Sequence, residues 1–183
     1  MSDKNTKPVH FETILAEKEI FSGRVFRVAQ RDVVLENGEQ SVREVVYHNG
    51  GAAVLPVDVD GNVYLVRQYR SAFDAEVLEI PAGKLEKGED PFFAAVRELE
   101  EETGFKTDSI IKLGEYWPTV GYCSERVYLY LAKMLSKGNT HFDSDEFISL
   151  VKMPFDEVYK MCMNGEICDG KTQLAVLKAK HYL

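Results

Sequence analysis

Four glutamates near the middle of the chain have a spacing that could bind a metal ion. Glu89 is followed by Glu98, Glu101 and Glu102, and the last three share one stripe at roughly 100° per residue of an α-helix. Like charges three and four residues apart repel each other, so this stripe destabilises an isolated helix. A divalent cation with oxygen ligands would compensate for the repulsion. An ordinary solvated acidic face is the alternative interpretation.

The residues around these glutamates predict a helix that begins at Pro91 and ends at Thr103. Asp90 can cap the first N–H groups, and proline suits the first helical position. Gly104 is typical of the residue that follows a helix. The glutamates lie beside an apolar arc, which is predicted to consist of Phe92, Ala95, Val96, Leu99 and Thr103.

The segment that contains this helix, Gly83–Phe105, has a spacing that is rare by chance. It follows the pattern G-x5-E-x7-R-E-U-x-E-E-x-G-U, in which U is apolar. The matching residues are Gly83, Glu89, Arg97, Glu98, Leu99, Glu101, Glu102, Gly104 and Phe105. From average residue usage, a chance match is rarer than about one in 10⁸ per starting position. The segment resembles the Nudix box, a loop–helix–loop that holds Mg²⁺ or Mn²⁺ against a diphosphate.

This resemblance implies roles for the residues of the box. Carboxylates at the positions of Glu98 and Glu102 are the usual metal ligands of the family, with Glu101 a ligand or a catalytic helper. Arg97 is implied to orient a glutamate of the box. The chemistry agrees, since Mg²⁺ prefers a few carboxylates together with substrate phosphates. The box alone does not identify the substrate.

Further segments, spread over nearly the whole chain, resemble the ADP-ribose pyrophosphatase branch of the family. They are Arg43-Glu44, Gly51–Ala53, Val66–Arg70, Leu78–Leu85 and Asp169–Thr172. By this resemblance, the backbone carbonyl of Ala82 binds a metal and Arg70 contacts a substrate phosphate. Arg43 would approach the substrate from a partner subunit, and Arg67 is either a substrate-binding or a surface residue. Arginine suits these roles because its planar fork pairs with two phosphate oxygens.

Two loops after the box contain the remaining candidate residues. The branch usually has a proline before Gly121, whereas this chain has Val120, so the loop departs from the pattern. Glu125, which closes that loop, either binds substrate or is the charged start of a strand. In the second loop the resemblance implies that Glu146 binds metal, and a solvated acidic loop is the alternative. The candidate catalytic carboxylates of this second loop are Asp143, Asp145 and Glu146.

The rest of the chain predicts an α/β Nudix fold, with a mixed β-sheet sandwiched between two or three helices. Residues 11–48 are predicted to form a small antiparallel β-meander, with a type I′ turn at Asn37-Gly38. Its aromatic residues Phe21, Phe26 and Tyr47 are expected mainly in a core, and stacking platforms for adenine are the alternative. A lone meander is marginally stable, and in the sugar-diphosphate branch a comparable sheet is exchanged between two subunits. We therefore expect residues 1–48 to mediate homodimerisation and residues 49–183 to form the hydrolase domain. The segment Asp58–Asn62 is interpreted as a hairpin turn rather than a metal loop.

Composition narrows the class of protein. The net charge of −8 over 183 residues argues against broad nucleic-acid binding. It does not exclude a phosphate substrate, because a bound metal inverts the local charge. The chain has neither a membrane-length apolar run nor an apolar signal region, and its three cysteines form no C-x-x-C pair. A cytoplasmic protein without membrane partners is expected.

Together these observations predict Mg²⁺-dependent hydrolysis of nucleoside diphosphate sugars, with Mn²⁺ as a substitute. The first expected reaction converts ADP-ribose into AMP and ribose 5-phosphate. Nucleoside triphosphates or dinucleoside polyphosphates are alternative substrates, because the box is shared among these enzymes. A non-catalytic nucleotide-sugar sensor is a further alternative, which the four intact box carboxylates disfavour.

Overall fold

The structure, a computed structural model, describes residues 9–140 and 147–183. The chain forms two compact units. The first contains the residues up to His48 together with Thr119–Glu125, and the second contains Asn49–Pro118 and Arg126–Leu183. The first unit thus includes Thr119–Glu125, a segment that the predicted division into 1–48 and 49–183 leaves in the second.

The first unit contains the predicted meander. Its strands are β1 (Thr13–Ser22), β2 (Phe26–Val34) and β3 (Gln40–His48), and they form an antiparallel sheet in the order β1-β2-β3. The meander is therefore confirmed. Its aromatic residues are not all in a core, however, because Phe21 and Phe26 are exposed.

The turn between β2 and β3 differs from the predicted type. A type I′ turn needs positive φ at both central residues. Gly38 has a φ of 86°, but Asn37 does not have a positive φ. The N–H of Gly38 donates to the carbonyl of Leu35 at 2.9 Å, so the turn spans Leu35–Gly38 and ends on the left-handed glycine. Asn37 instead accepts a hydrogen bond from the N–H of Glu39 through Oδ1 at 3.0 Å. The hairpin is right and the type I′ assignment is wrong.

In its described part, the second unit contains seven strands and three helices. They are β4 (Gly51–Pro56), β5 (Asn62–Arg70), β6 (Ala75–Glu79), β7 (Ala82–Lys84), α1 (Pro91–Thr103), β8 (Phe105–Tyr116), β9 (Val127–Lys137), β10 (Ser149–Pro154), α2 (Phe155–Asn164) and α3 (Gly170–Ala179). A four-stranded mixed sheet has the order β7-β4-β9-β8, in which β4 and β9 are parallel. A second, antiparallel sheet has the order β10-β5-β6.

The central strand β4 is buried on both of its faces. Successive side chains of a strand point to opposite faces, and each face of β4 packs in a different core cluster. Ala52 and Val54 pack in a cluster with the residues of α1. Ala53 and Leu55 pack in a cluster with residues of α2 and α3. Helices therefore cover both faces of the mixed sheet, as the sequence predicts.

Asp58 organises the turn between β4 and β5. Its Oδ1 accepts hydrogen bonds from the N–H groups of Asp60 and Asn62 at 3.0 and 2.8 Å. Its Oδ2 is 2.8 Å from the Lys152 ammonium and accepts from the Tyr64 hydroxyl at 3.2 Å. These donors make the segment a turn, as interpreted. The two strands continue into different sheets, so the predicted simple hairpin is limited to one bridge between Val57 and Val63.

The substitution Asp58→Asn should lower the free energy of unfolding by about 1–2 kcal/mol near neutral pH. Burial raises the pKa of Asp58, but hydrogen bonds from Lys152, Asn62 and Tyr64 outweigh it and hold the pKa well below its usual range. A carboxyl with a lowered folded pKa stabilises the fold above its unfolded pKa, and this contribution is lost as the pH falls through the folded value. In urea unfolding, the difference in the free energy of unfolding between the wild type and Asp58→Asn should therefore shrink below about pH 4. A pH-independent difference, or an equal loss for the exposed control Asp108→Asn, would contradict this.

Candidate active site

Helix α1 begins and ends where the sequence predicts. Asp90 accepts a hydrogen bond from the N–H of Phe92 at 2.8 Å, and Gly104 has a left-handed φ of 70°. The buried side of the helix differs from the predicted arc, because Phe92 is 40% exposed. The residues that are buried are Ala94, Ala95, Glu98, Leu99, Glu102 and Thr103. Two of the three stripe carboxylates therefore belong to the buried side of the helix.

Gly83 on β7 provides the space for Glu98. A Cβ atom built on Gly83 would lie 1.8 Å from Oε1 of Glu98 and 2.1 Å from its Cδ. No side chain fits at such distances. Strand β7 is fixed by its pairing with β4, where Gly83 lies opposite Ala52. The first glycine of the motif is thus required for the close approach of a strand to a buried carboxylate.

Arg97 contacts three carboxylates of the motif. Its Nη1 donates to Glu98 at 2.6 Å and to Glu101 at 2.8 Å, and its Nε and Nη2 donate to Glu89 at 3.2 and 3.3 Å. Burial lowers the pKa of Arg97, but the hydrogen bond to Glu89, the charge of Glu98 and the hydrogen bonds to Glu101 and Glu98 raise it above its usual value. In turn, the hydrogen bond from Arg97 lowers the pKa of Glu89. These contacts support the implied role of Arg97 as the residue that orients the glutamates.

Glu102 is linked to the strand that precedes the box. Its Oε2 accepts a hydrogen bond from the N–H of Ala82 at 3.1 Å, and the side chain is buried. Ala82 belongs to β7 and lies opposite Ala53 of β4. Ala82 and Glu102, two of the predicted metal-binding residues, are therefore neighbours.

The chemistry of these residues fits a hard divalent cation. Glu98, Glu101 and Glu102 supply carboxylate oxygens, which Mg²⁺ and related ions prefer. Burying a carboxylate is costly unless a cation or hydrogen-bond donors compensate for it, and Gly83 lets the Glu98 carboxylate lie against β7 in a position that a side chain would block. Over the described residues, no group of three or more Asp, Glu, His or Cys side chains already has the arrangement of a metal site. Arg97 is the cation that pairs with two of these carboxylates in the structure.

Arg70, the predicted phosphate ligand, is held at the end of β5 by Glu79. Its Nε and Nη2 donate to the two carboxylate oxygens of Glu79 at 2.6 and 2.8 Å. This hydrogen bonding raises the pKa of Arg70; burial opposes the rise, and the charges of Glu79, Glu102 and Asp169 add to it. Its partner Glu79 lies three residues before Ala82, whose N–H donates to Glu102, so the arginine lies in the same region as the box. Arg67 is instead exposed, paired with Leu78 on the neighbouring strand.

Two other predicted substrate-binding residues belong to the first unit. Arg43 on β3 forms an ion pair with Glu12, and its Nη1 donates to the Ser41 hydroxyl at 2.9 Å. Glu125 lies with its Oε1 3.4 Å from Nδ1 of His48. Their roles toward a substrate stay predictions.

The predicted catalytic carboxylates belong to the loop that precedes β10. Asp143, Asp145 and Glu146 lie outside the described residues. Their assignment as base and metal ligand therefore stays a prediction.

Glu79, the buried partner of Arg70, is not among the functional residues that the sequence predicts. The sequence does contain a sign of a buried charge, because Glu79 is a charged residue inside the apolar run Val77–Pro81. Glutamate is almost never fully buried unless it is paired. Such a residue is a candidate for a buried ion pair.

Comparison with known proteins assigns the family. The NUDIX domain model matches residues 47–171, and the chain belongs to this family. Proteins of the family generally use divalent metals. The chain is 39% identical to an ADP-ribose pyrophosphatase of Bacillus subtilis over 167 residues, covering 90% of each chain.

The chain is also similar to a second relative and to a solved structure. A methanol dehydrogenase activator of Bacillus methanolicus is 41% identical to the chain, again over 90% of each. A crystal structure of an ADP compounds hydrolase superimposes with a TM-score of 0.84 at 24% identity, covering 97% of each chain, and confirms the fold. No helix in the described part of the chain is long and apolar enough to cross a membrane.

Proposed function

We propose that the protein hydrolyses the diphosphate of nucleoside diphosphate sugars, with ADP-ribose as the first substrate and AMP and ribose 5-phosphate as products. The observation that carries this proposal is the intact set of box carboxylates, with Glu98 and Glu102 buried against β7. A site that only senses a ligand does not need these costly buried charges. The similarity to an ADP-ribose pyrophosphatase over 90% of both chains supports the substrate class.

In this function, Mg²⁺ is the proposed cation, with Mn²⁺ as a substitute. Glu98, Glu101, Glu102 and the carbonyl of Ala82 would hold it, and Glu146 is a further predicted ligand. When bound, the cation supplies charge neutralisation to the diphosphate and lowers the pKa of water.

The protein's own residues then position the reactants. Arg70 would donate hydrogen bonds to a phosphate, which orients the diphosphate. Arg97 holds Glu98 and Glu101 in place. A carboxylate of the loop Asp143–Glu146 would accept the proton of the attacking water. The water oxygen bonds to phosphorus as the bridging P–O bond breaks, which leaves two phosphate monoesters.

The substrate preference is tested by kcat/KM for ADP-ribose, ADP-glucose and ATP at one Mg²⁺ concentration. We expect ADP-ribose to lead, ADP-glucose to be measurable and ATP to react poorly. Discrimination between sugars depends on buried polar groups that a wrong sugar leaves unpaired, and the exposed Val120 replaces the usual proline of the sugar-facing loop. If ATP leads, the branch assignment is wrong. Binding of ADP-ribose without release of AMP would support the sensor instead.

We also propose that the first unit forms a symmetric homodimer. Several of its large apolar side chains are exposed: Ile14, Leu15, Ile20, Phe21, Val25, Phe26 and Val42. Exposed apolar patches of this kind are typical of interaction sites, and two-fold dimers are the commonest closed assembly. In such a dimer, Arg43 would approach the substrate of the other subunit.

Light scattering should show a dimer at micromolar concentration, which the double substitution Phe21→Ser/Phe26→Ser converts to a monomer. The centroids of the two rings lie 5.8 Å apart. Phe21 and Phe26 are the aromatic residues among the seven exposed apolar residues named above. We expect dissociation to be favoured by about 100-fold or more, since aromatic residues dominate interface energetics. Val59→Ser, at a position that is 90% exposed in the second unit, is the control and should remain dimeric. An active wild-type monomer would reject the dimer and the role of Arg43 across it.

A second candidate function is the activation of a dehydrogenase. It is favoured by the 41% identity to the methanol dehydrogenase activator. The experiment adds the protein to methanol dehydrogenase of Bacillus methanolicus and measures the rate of methanol oxidation. A rate increase that is lost with Glu102→Gln would link activation to the same site.

We further propose a cytoplasmic location and no nucleic-acid partner. The support is the net charge of −8 and the three cysteines without a C-x-x-C pair. Cell fractionation tests the location. Retention on heparin, a polyanion, at physiological salt would indicate that the protein does bind nucleic acid.

A further inference from the structure

Arg70 belongs to a group of four charged side chains in the second unit, together with Glu79, Lys171 and Asp169. Its centre is Glu79, which is 2% exposed and accepts hydrogen bonds from Arg70 and from the Lys171 ammonium. Lys171 also lies 3.0 Å from Oδ1 of Asp169. The group thus contains two carboxylates and two cations. This balance matches the requirement that buried charges be paired.

The N-terminus of α3 fixes this group to the end of β6. Asp169 caps the helix, because its Oδ2 accepts from the N–H and the hydroxyl of Thr172 at 3.0 and 2.5 Å. The hydroxyl oxygen of the buried Thr172 accepts in turn from the N–H of Ile80 at 2.8 Å. Helix α3 therefore holds the side chain of Glu79 through Lys171 and the next peptide group through Thr172.

We propose that Glu79 is a positioning residue that presents Arg70 to the substrate diphosphate, and that Lys171 keeps Glu79 in place. This inference rests on the proposed function, in which Arg70 contacts a phosphate. Glu79 contacts only the edge of the guanidinium formed by Nε and Nη2. The edge formed by Nη1 and Nη2 keeps N–H donors directed away from Glu79. That edge can pair with two phosphate oxygens, and the Arg70 side chain is 40% exposed.

The geometry reduces the entropy that Arg70 loses when it binds. A free arginine side chain has many rotamers, and fixing them opposes binding. The bidentate contact with Glu79 has already selected one orientation before a substrate arrives. Burial raises the pKa of Glu79, but the hydrogen bonds from Arg70 and the charge of Lys171 outweigh it and lower the pKa. Glu79 therefore stays an ionised acceptor for both cations.

The kinetic test compares Glu79→Gln, Arg70→Ala and the double variant. An amide offers one acceptor oxygen where two cations need acceptors, so Glu79→Gln should raise KM for ADP-ribose about 10-fold and change kcat less than about threefold. Arg70→Ala should raise KM about 100-fold. The double variant should match Arg70→Ala within about threefold, because residues that act through one another are not additive. Asp58→Asn breaks another carboxylate–lysine pair of the second unit and should leave KM unchanged.

A substrate-free measurement separates this inference from the proposed function. In NMR spectra, the Arg70 Nε–H should be protected from exchange in the wild type and unprotected in Glu79→Gln. If Glu79→Gln does not fold, Lys171→Met serves instead and should weaken the protection and raise KM about threefold. If the wild type hydrolyses no nucleotide sugar, the proposed function fails. The exchange protection of the Arg70 Nε–H then still decides whether Glu79 holds Arg70. An unprotected wild-type Nε–H, or additive KM effects in the double variant, would overturn the inference.

Discussion

Glu102→Gln is expected to reduce kcat by about 100- to 1000-fold and to leave the fold unchanged. The glutamine keeps the shape of the side chain, and its carbonyl can still accept the hydrogen bond from Ala82 that Glu102 Oε2 accepts at 3.1 Å. The substitution removes one negative charge from the group that is proposed to hold Mg²⁺. Losing one group that stabilises the transition state typically costs this much in rate.

The melting temperature of Glu102→Gln should stay close to that of the wild type. Relief of repulsion along the acidic stripe would raise the stability by a few tenths of a kcal/mol at most, because Arg97 already pairs with Glu98 and Glu101. Glu100→Gln is the matched control on the same helix, where Glu100 pairs with Lys106 at 3.1 Å. Its kcat should remain within about twofold of the wild type. Near-normal turnover of Glu102→Gln at saturating Mg²⁺ would contradict the assignment of Glu102 as a metal ligand.

The ends of α1 could be predicted because their causes are local. Asp90, Pro91 and Gly104 act on backbone groups within a few residues of themselves, and each has its predicted role. The β2–β3 hairpin was predictable for the same reason. Its turn type was not, since an Asn-Gly pair is compatible with a type I′ turn and also with a turn that closes on a single left-handed glycine.

The buried side of α1 could not be predicted from apolar periodicity. That rule places charged residues outside, whereas Glu98 and Glu102 are buried and Phe92 is exposed. The cause is a contact with β7, where Gly83 leaves the space that Glu98 occupies. Such a contact depends on how a strand pairs and packs, which a helical pattern does not contain.

The ion pair of Glu79 with Lys171 could not be predicted, because it joins distant parts of the chain. Glu79 and Lys171 are 92 residues apart in the chain and meet only because α3 packs near the end of β6. Their neighbours Ile80 and Thr172 meet in the same way. The sequence shows a charge in an apolar run, but it does not show which cation pairs with it.

Gly83→Ala is expected to lower kcat about 100-fold and to destabilise the protein by about 1–3 kcal/mol. The new methyl carbon would lie 1.8 Å from Oε1 of Glu98, so the carboxylate has to move away. The φ of Gly83 is not in the left-handed region, which leaves the contact with Glu98 as the source of strain. Both losses therefore have one cause, the displacement of Glu98.

The decisive measurement is a double-mutant cycle between Gly83→Ala and Glu98→Ala. Urea unfolding in the Glu98→Ala background should show a cost of Gly83→Ala below about 1 kcal/mol, because the atoms that clash have been removed. Gly170→Ala is the control, since a Cβ atom there has no neighbour within 4 Å. It should keep full activity, and alanine is the better helix former at the start of α3. Equal costs of Gly83→Ala in both backgrounds would show that the glycine is needed for a reason other than Glu98. The proposal that Gly83 is needed to make room for the buried carboxylate of Glu98 would then be wrong.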